Sequence, residues 1–187
     1  MAFLIEEHAS RRILFKQTRH LQLAICALLF NHIMKHGFFQ NLDGQGLKFA
    51  MAVANFNKDI TERLEKWCVR GLTDAGVAEK DIAIEHVPGS FELPLTCQQF
   101  AKSGKYDAVI AIGCLIKGET MHFEYLADAT FNGLVRAALD SDVPVICGVL
   151  TCLNKEQAEA RSKDSEESSA YGWAKAAIEM AYSMRKD

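Results

Sequence analysis

The chain has no apolar stretch suited to crossing a bilayer. LQLAICALLFNHIM (21–34) is shorter than the roughly 20 residues a spanning helix needs and is interrupted by Gln22, Asn31 and His32. There is no long basic block outside the N-terminal region, and the net charge is −3, so neither nucleic acid nor a membrane is expected as a partner. The six cysteines, Cys26, Cys68, Cys97, Cys114, Cys147 and Cys152, make no C-x-x-C pair. Without close Cys/His ligand pairs a zinc site is not expected. Cysteines scattered in apolar segments read instead as reduced, buried thiols of a cytoplasmic protein. No G-x-G-x-x-G follows a strand and no Walker loop occurs, which removes the usual nucleotide cradles. No Ser or Cys nucleophile stands beside a clear base, and there is no internal repeat or low-complexity segment.

What is present suits one domain with a real core: 187 residues, 49% hydrophobic and 24% charged. The first 46 residues differ from the rest. From His8 to Leu42 there are five Lys/Arg and no Asp or Glu. Residues 21–34 can form an amphipathic helix that packs on the core, on a partner or on a membrane surface. A basic, acid-poor leader also suits a targeting segment, against which Glu6 and Glu7 weigh. The expected division is a variable N-terminal extension, 1–46, and a domain, 47–187.

From Leu47 the punctuation becomes regular. LKFAMAVA (47–54), DIAIEHV (81–87), DAVIAIGCL (107–115) and VPVICGVLT (143–151) are apolar strand candidates. Helical spacing follows each one. Ile60, Leu64, Trp67, Gly71, Leu72 and Ala75 share a face that ends at Gly76. FELPLTCQQFAKSG (91–104) tolerates Pro94 only in a first turn. FEYLADATFNGLVRAAL (123–139) turns Phe123, Leu126, Ala127, Thr130, Leu134 and Ala138 inward, and helices are expected at 154–162 and 172–186. Strands too apolar to face water, alternating with helices, predict an α/β, three-layer sandwich around a four-stranded parallel sheet, flavodoxin-like. Ligands in such folds bind beyond the carboxyl ends of the strands.

Four corners therefore carry the candidates. At the first, Phe56 either stacks on a flat heterocycle whose edge Asn57 reads, or is a core residue beside a helix-capping Asn57. At the second, Glu92 is either placed by the helix dipole or accepts hydroxyls of a sugar-like chain. At the third, GCLIKGETMHFEYLADAT (113–130), Gly118 permits a tight turn. Thr120 and His122 stand where a helix begins and free N–H groups favour an anion. His122 either moves protons near neutral pH or merely caps the helix. At the fourth, Arg161 offers a planar fork for phosphate or is an ordinary surface arginine.

The segments ANFNKDIT (54–61), VPGSFELP (87–94), YDAVIAIGCLIKGETMHFEYLADAT (106–130), VPVICGVLT (143–151), EQAEAR (156–161) and GWAKAAIEMA (172–181) together resemble the lumazine synthase family. The form LIKGETMHFEY is similar to fungal-type members. The resemblance implies a transferase of riboflavin biosynthesis with no metal or redox cofactor. It would condense 5-amino-6-(D-ribitylamino)uracil with 3,4-dihydroxy-2-butanone 4-phosphate to 6,7-dimethyl-8-ribityllumazine. It implies His122 as the catalytic proton shuttle and Phe56 stacked on the uracil, with Asn57 beside it. Ser90, Phe91 and Glu92 would hold the ribityl chain, and Cys114, Leu115 and Ile116 would line the ring pocket. Glu119, Thr120 and Arg161 would meet the phosphate. It also implies a homopentamer, in some members part of a sixty-subunit shell, whose sites lie between subunits, with Cys147 and Arg161 supplied by a neighbour. Departures from the family pattern fall at Asn55, Cys147, Glu119 and the loop 162–171, where Lys163 would replace part of a missing basic pattern. A lumazine- or flavin-binding protein without turnover, and a purely assembling protein, are the competing readings.

Overall fold

The computed structural model describes residues 42–185. The expectations for the helix at 21–34, the targeting segment, Cys26 and all of the 1–46 extension except its last five residues lie outside the described residues. Four strands, β1 (Phe49–Ala54), β2 (Ile82–Val87), β3 (Ala108–Ile116) and β4 (Val145–Cys152), form one parallel sheet in the order β2-β1-β3-β4. Five helices connect and close them: α1 (Lys58–Asp74), α2 (Leu93–Lys102), α3 (His122–Leu139), α4 (Lys155–Arg161) and α5 (Ser169–Met184). This is the expected flavodoxin-like α/β arrangement. Short 3₁₀ turns at Glu79–Asp81 and Ser90–Glu92 precede β2 and α2.

The strand alternation decides which helices lie on which face. Phe49, Met51 and Val53 of β1, with Ile110 and Ile112 of β3, point to one side, where Ile60, Leu64 and Leu72 of α1, Ala158 of α4 and Ile178 of α5 complete a core. Ala50, Ala52 and Ala54 of β1 point to the other side, toward Leu93 and Cys97 of α2 and Leu134 of α3. Both sets are buried, so the central strands read as continuous apolar runs. Burying one large apolar side chain contributes about 1.5–3 kcal/mol.

Helix ends follow the sequence with small differences. α1 stops at Asp74, ahead of Gly76, whose φ of 94° suits glycine. Pro94 falls in the first turn of α2. On α3 the buried position is Ala137, and the expected Ala138 is only half-buried: Ala137 follows buried Thr130 and Leu134 at helical spacing on the same face.

Candidate active site

The carboxyl ends of β1, β2 and β3 are laced together. Asn55 N–H donates to Val87 O at 2.8 Å and Phe56 N–H to Pro88 O at 3.2 Å, which ties the first corner to the second. Asn57 adopts the left-handed conformation, φ 59°, ψ 48°. Asparagine tolerates this better than most residues. Its carbonyl starts α1 by accepting from Ile60 N–H, and its side-chain amide donates to Cys114 O at 2.9 Å, which ties the first corner to the third. Asn57 therefore does not cap α1 with its side chain. Phe56 is 70% exposed, which removes the reading of it as a core residue.

The second corner is built by its own backbone. Glu92 reaches back to accept the Gly89 N–H at 2.9 Å. Ser90 is buried, and its carbonyl accepts the Thr130 hydroxyl at 3.3 Å. Gly113 of β3 makes room for this corner. A Cβ there would lie 2.7 Å from Ser90 Oγ and 3.0 Å from Leu93 Cδ1, too close for either to stay. At the third corner, Lys117 N–H donates to Cys152 O at 2.8 Å, after which the exposed turn leads into α3. The His122 N–H faces Thr120 Oγ1 at 3.4 Å, a weak contact. Among the described residues the His122 ring makes no hydrogen bond, so it is not spent on capping.

These three corners surround a cavity of about 590 Å³. Phe56, Asn57, Ser90, Phe91, Glu92, Cys114, Leu115, Ile116, Thr120 and His122 all reach its wall. The volume suits a small organic molecule. Phe56 and Phe91 give it exposed aromatic faces, Glu92 an acceptor and Thr120 a hydroxyl. His122 and its neighbours stand at the N-terminus of an 18-residue helix, whose first N–H groups have no intrahelical partners. Burial pushes the Cys114 thiol up to about 12, with help from Cys152 and Asp59, so it is neutral at ordinary pH. The Lys117 ammonium, hydrogen-bonded to Glu124, holds that carboxyl below its usual range.

Three expected residues are not brought to this cavity. Glu119 is exposed in the turn, while its neighbour Thr120 faces the wall. Cys147 lies exposed on the edge strand β4, where burial of its thiol still raises its pKa. Arg161 is exposed at the end of α4, and its guanidinium donates to Gln157 O at 3.1 Å. Lys163 does not stand free beside it, being paired with Glu167 at 2.6 Å. Pro88, Gly89, Gly118, Phe123 and Leu126 also line the cavity and were not singled out as site residues. The V-P-G-S turn marked the first two. Phe123 and Leu126 had been assigned to the inward stripe of α3, whose first turn covers the cavity as well as the core.

Residues 46–185 match the family model described as 6,7-dimethyl-8-ribityllumazine synthase. A 6,7-dimethyl-8-ribityllumazine synthase of Cupriavidus pinatubonensis is 40% identical over 149 residues, 79% of this chain and 87% of that protein. One from Ralstonia nicotianae is 40% identical over 149 residues, 79% of this chain and 88% of that protein.

Proposed function

The chain belongs to the 6,7-dimethyl-8-ribityllumazine synthase family, and from that premise we propose how its residues divide the work. It is a transferase of riboflavin biosynthesis. It condenses 5-amino-6-(D-ribitylamino)uracil with 3,4-dihydroxy-2-butanone 4-phosphate and releases 6,7-dimethyl-8-ribityllumazine, phosphate and water. The uracil's primary amine displaces the ketone oxygen as water, phosphate leaves, and the ribitylamino nitrogen closes the second ring with loss of a second water. Each step moves a proton.

The observation that carries the assignment of roles is the shared cavity: Phe56, Glu92 and His122 all reach its wall, from three different strand ends. Phe56 stacks on the uracil ring, with Asn57 holding the Phe56 corner against the Cys114 backbone. Ser90, Phe91 and Glu92 receive the ribityl chain, Glu92 as the hydroxyl acceptor. Cys114, Leu115 and Ile116 form the ring-binding wall. Thr120 and the N–H groups opening α3 take the phosphate, and His122 carries protons during imine formation and phosphate loss. Glu119, exposed in the same turn, sits at the outer rim of the phosphate site.

The homopentamer belongs to the same reading. Cys147 and Arg161 complete the cavity of a neighbouring copy rather than their own, since neither reaches the wall here. Large apolar side chains left exposed on the α2–α3 side, Leu95, Met121, Tyr125, Val135 and Leu139, support burial between copies. Among the described residues no helix is long and apolar enough to cross a membrane. The assignment to the cytoplasm rests on the free state of the five described cysteines.

The test is complementation. His122→Ala and Arg161→Ala proteins, each slow alone, are unfolded, mixed and refolded together, and lumazine absorbance is followed. If the site is shared between subunits, random mixing rebuilds roughly a quarter of the sites with both residues intact. No recovery in mixed assemblies would place Arg161 with its own subunit's cavity.

A further inference from the structure

The turn from Lys117 to Met121, which carries Thr120 and leads into His122 at the start of α3, is irregular, and its residues are exposed. Its two ends are nevertheless joined. Lys117, where the turn leaves β3, pairs through its ammonium with the carboxylate of Glu124 in the first turn of α3. The same ammonium lies 5.8 Å from the centre of the Phe123 ring, which lines the cavity. Only one carboxylate oxygen of Glu124 takes the lysine. The other, Oε2, is buried without a hydrogen-bond partner among the described residues.

We infer that Lys117 and Glu124 are positioning residues for the condensation: their pair closes the turn and holds Thr120 and His122 on the cavity wall. The inference rests on the proposed role of His122. The two side chains are 40% and 34% exposed, and pairs this exposed add little to global stability. The effect of the pair therefore falls on geometry. A small misplacement of a group that must meet its substrate can cost up to about a hundredfold in rate.

The arrangement is asymmetric. Removing Glu124 leaves a lysine able to turn to water. Removing Lys117 leaves a carboxylate whose one oxygen is already buried and unpartnered. Loss of the lysine is the worse lesion, and removing both partners repairs part of it.

The experiment measures kcat, the KM for each substrate and the melting temperature of Lys117→Met, Glu124→Gln, the double variant, Lys117→Arg and His122→Ala. Lys117→Met is expected to lower kcat about tenfold, and Glu124→Gln about threefold, with the KM for the uracil little changed. The double variant should turn over faster than Lys117→Met alone, Lys117→Arg should keep most of the rate, and melting temperatures should stay close together. Unchanged kcat in Lys117→Met beside a slow His122→Ala overturns the inference and leaves the role of His122 standing. So does a melting temperature that falls in step with kcat, or a double variant slower than either single one. Unchanged turnover in His122→Ala removes the role of His122 and this inference with it.

Discussion

Around the cavity, three strand ends are tied to one another; at the fourth, the chain is tied mainly to α1. The first group is joined by Asn55 to Val87, Phe56 to Pro88 and Asn57 to Cys114, all contacts between corners. At the end of β4, Lys155 reaches Asp59 of α1 at 3.2 Å and Arg63 donates to Ser162 at 3.2 Å. Asp164 accepts from both Lys66 and Trp67 at 2.6 Å. The first set surrounds a cavity lined by Phe56, Phe91 and His122. The second fixes a segment whose arginine points outward. One chain thus brings Phe56 and Phe91 to its own cavity and leaves Arg161 exposed away from it.

The comparison breaks most sharply at His122. His122→Ala should slow turnover by about ten- to a thousandfold, the range for losing one acid–base group, with uracil binding kept. Steady-state and binding measurements on the same preparation check this, and unchanged turnover would remove His122 from the chemistry. Next comes Arg161→Ala, which should raise the KM for the phosphate substrate about tenfold or more, as expected for a lost charge-assisted contact. The KM for the uracil should barely move; equal effects on both would dissolve the distinction between the two regions.

Three smaller effects test how each region is held. Gly113→Ala should destabilise by about 1–3 kcal/mol through overpacking, because the new methyl meets Ser90 and Leu93. It should also weaken binding of the ribityl chain, read by denaturant melts and substrate titration. Asn57→Ala should cost about 1–2 kcal/mol, from a left-handed residue other than Asn or Gly and a lost hydrogen bond to Cys114. Smallest is the acid response of the fourth corner. Hydrogen bonds from Lys66 and Trp67 hold the Asp164 carboxyl below its ordinary value of 3.8. The folded state thus favours the charged form, and this stabilisation is present above that value and is lost as pH falls below it. Melting temperatures of Asp164→Asn and the parent should differ at neutral pH and converge in acid. A difference that persists at low pH would assign the effect to packing rather than charge.

The contrast also marks how far the residues could be read in one dimension. Continuous apolar strands with helical spacing between them were enough for a parallel sheet, because only a strand covered on both faces stays apolar along its whole length. The corners followed, since strand ends are where such sheets bind ligands. What each corner does with its side chains was less legible. Phe56 read equally well as core or as a stacking surface, and its exposure removed the first reading. Glu119 and Thr120 are adjacent in sequence, yet the turn takes only Thr120 to the wall. The demand at Gly113 comes from Ser90, 23 positions earlier in the chain, so no local pattern carries it.

By itself the sequence determined the family, the reaction, the order of elements and ten of the fifteen residues that line the cavity. Those properties reside in hydrophobic period, turn chemistry and short motifs, all local along the chain. Tertiary structure alone decided that Asn57 spends its amide on Cys114, that Lys117 closes the His122 turn onto Glu124 and that Arg161 stands away from its own chain's cavity. The reason is physical: a hydrogen bond or ion pair depends on distances of a few ångströms between atoms, and residues far apart in sequence acquire those distances only when the sheet and its helices pack.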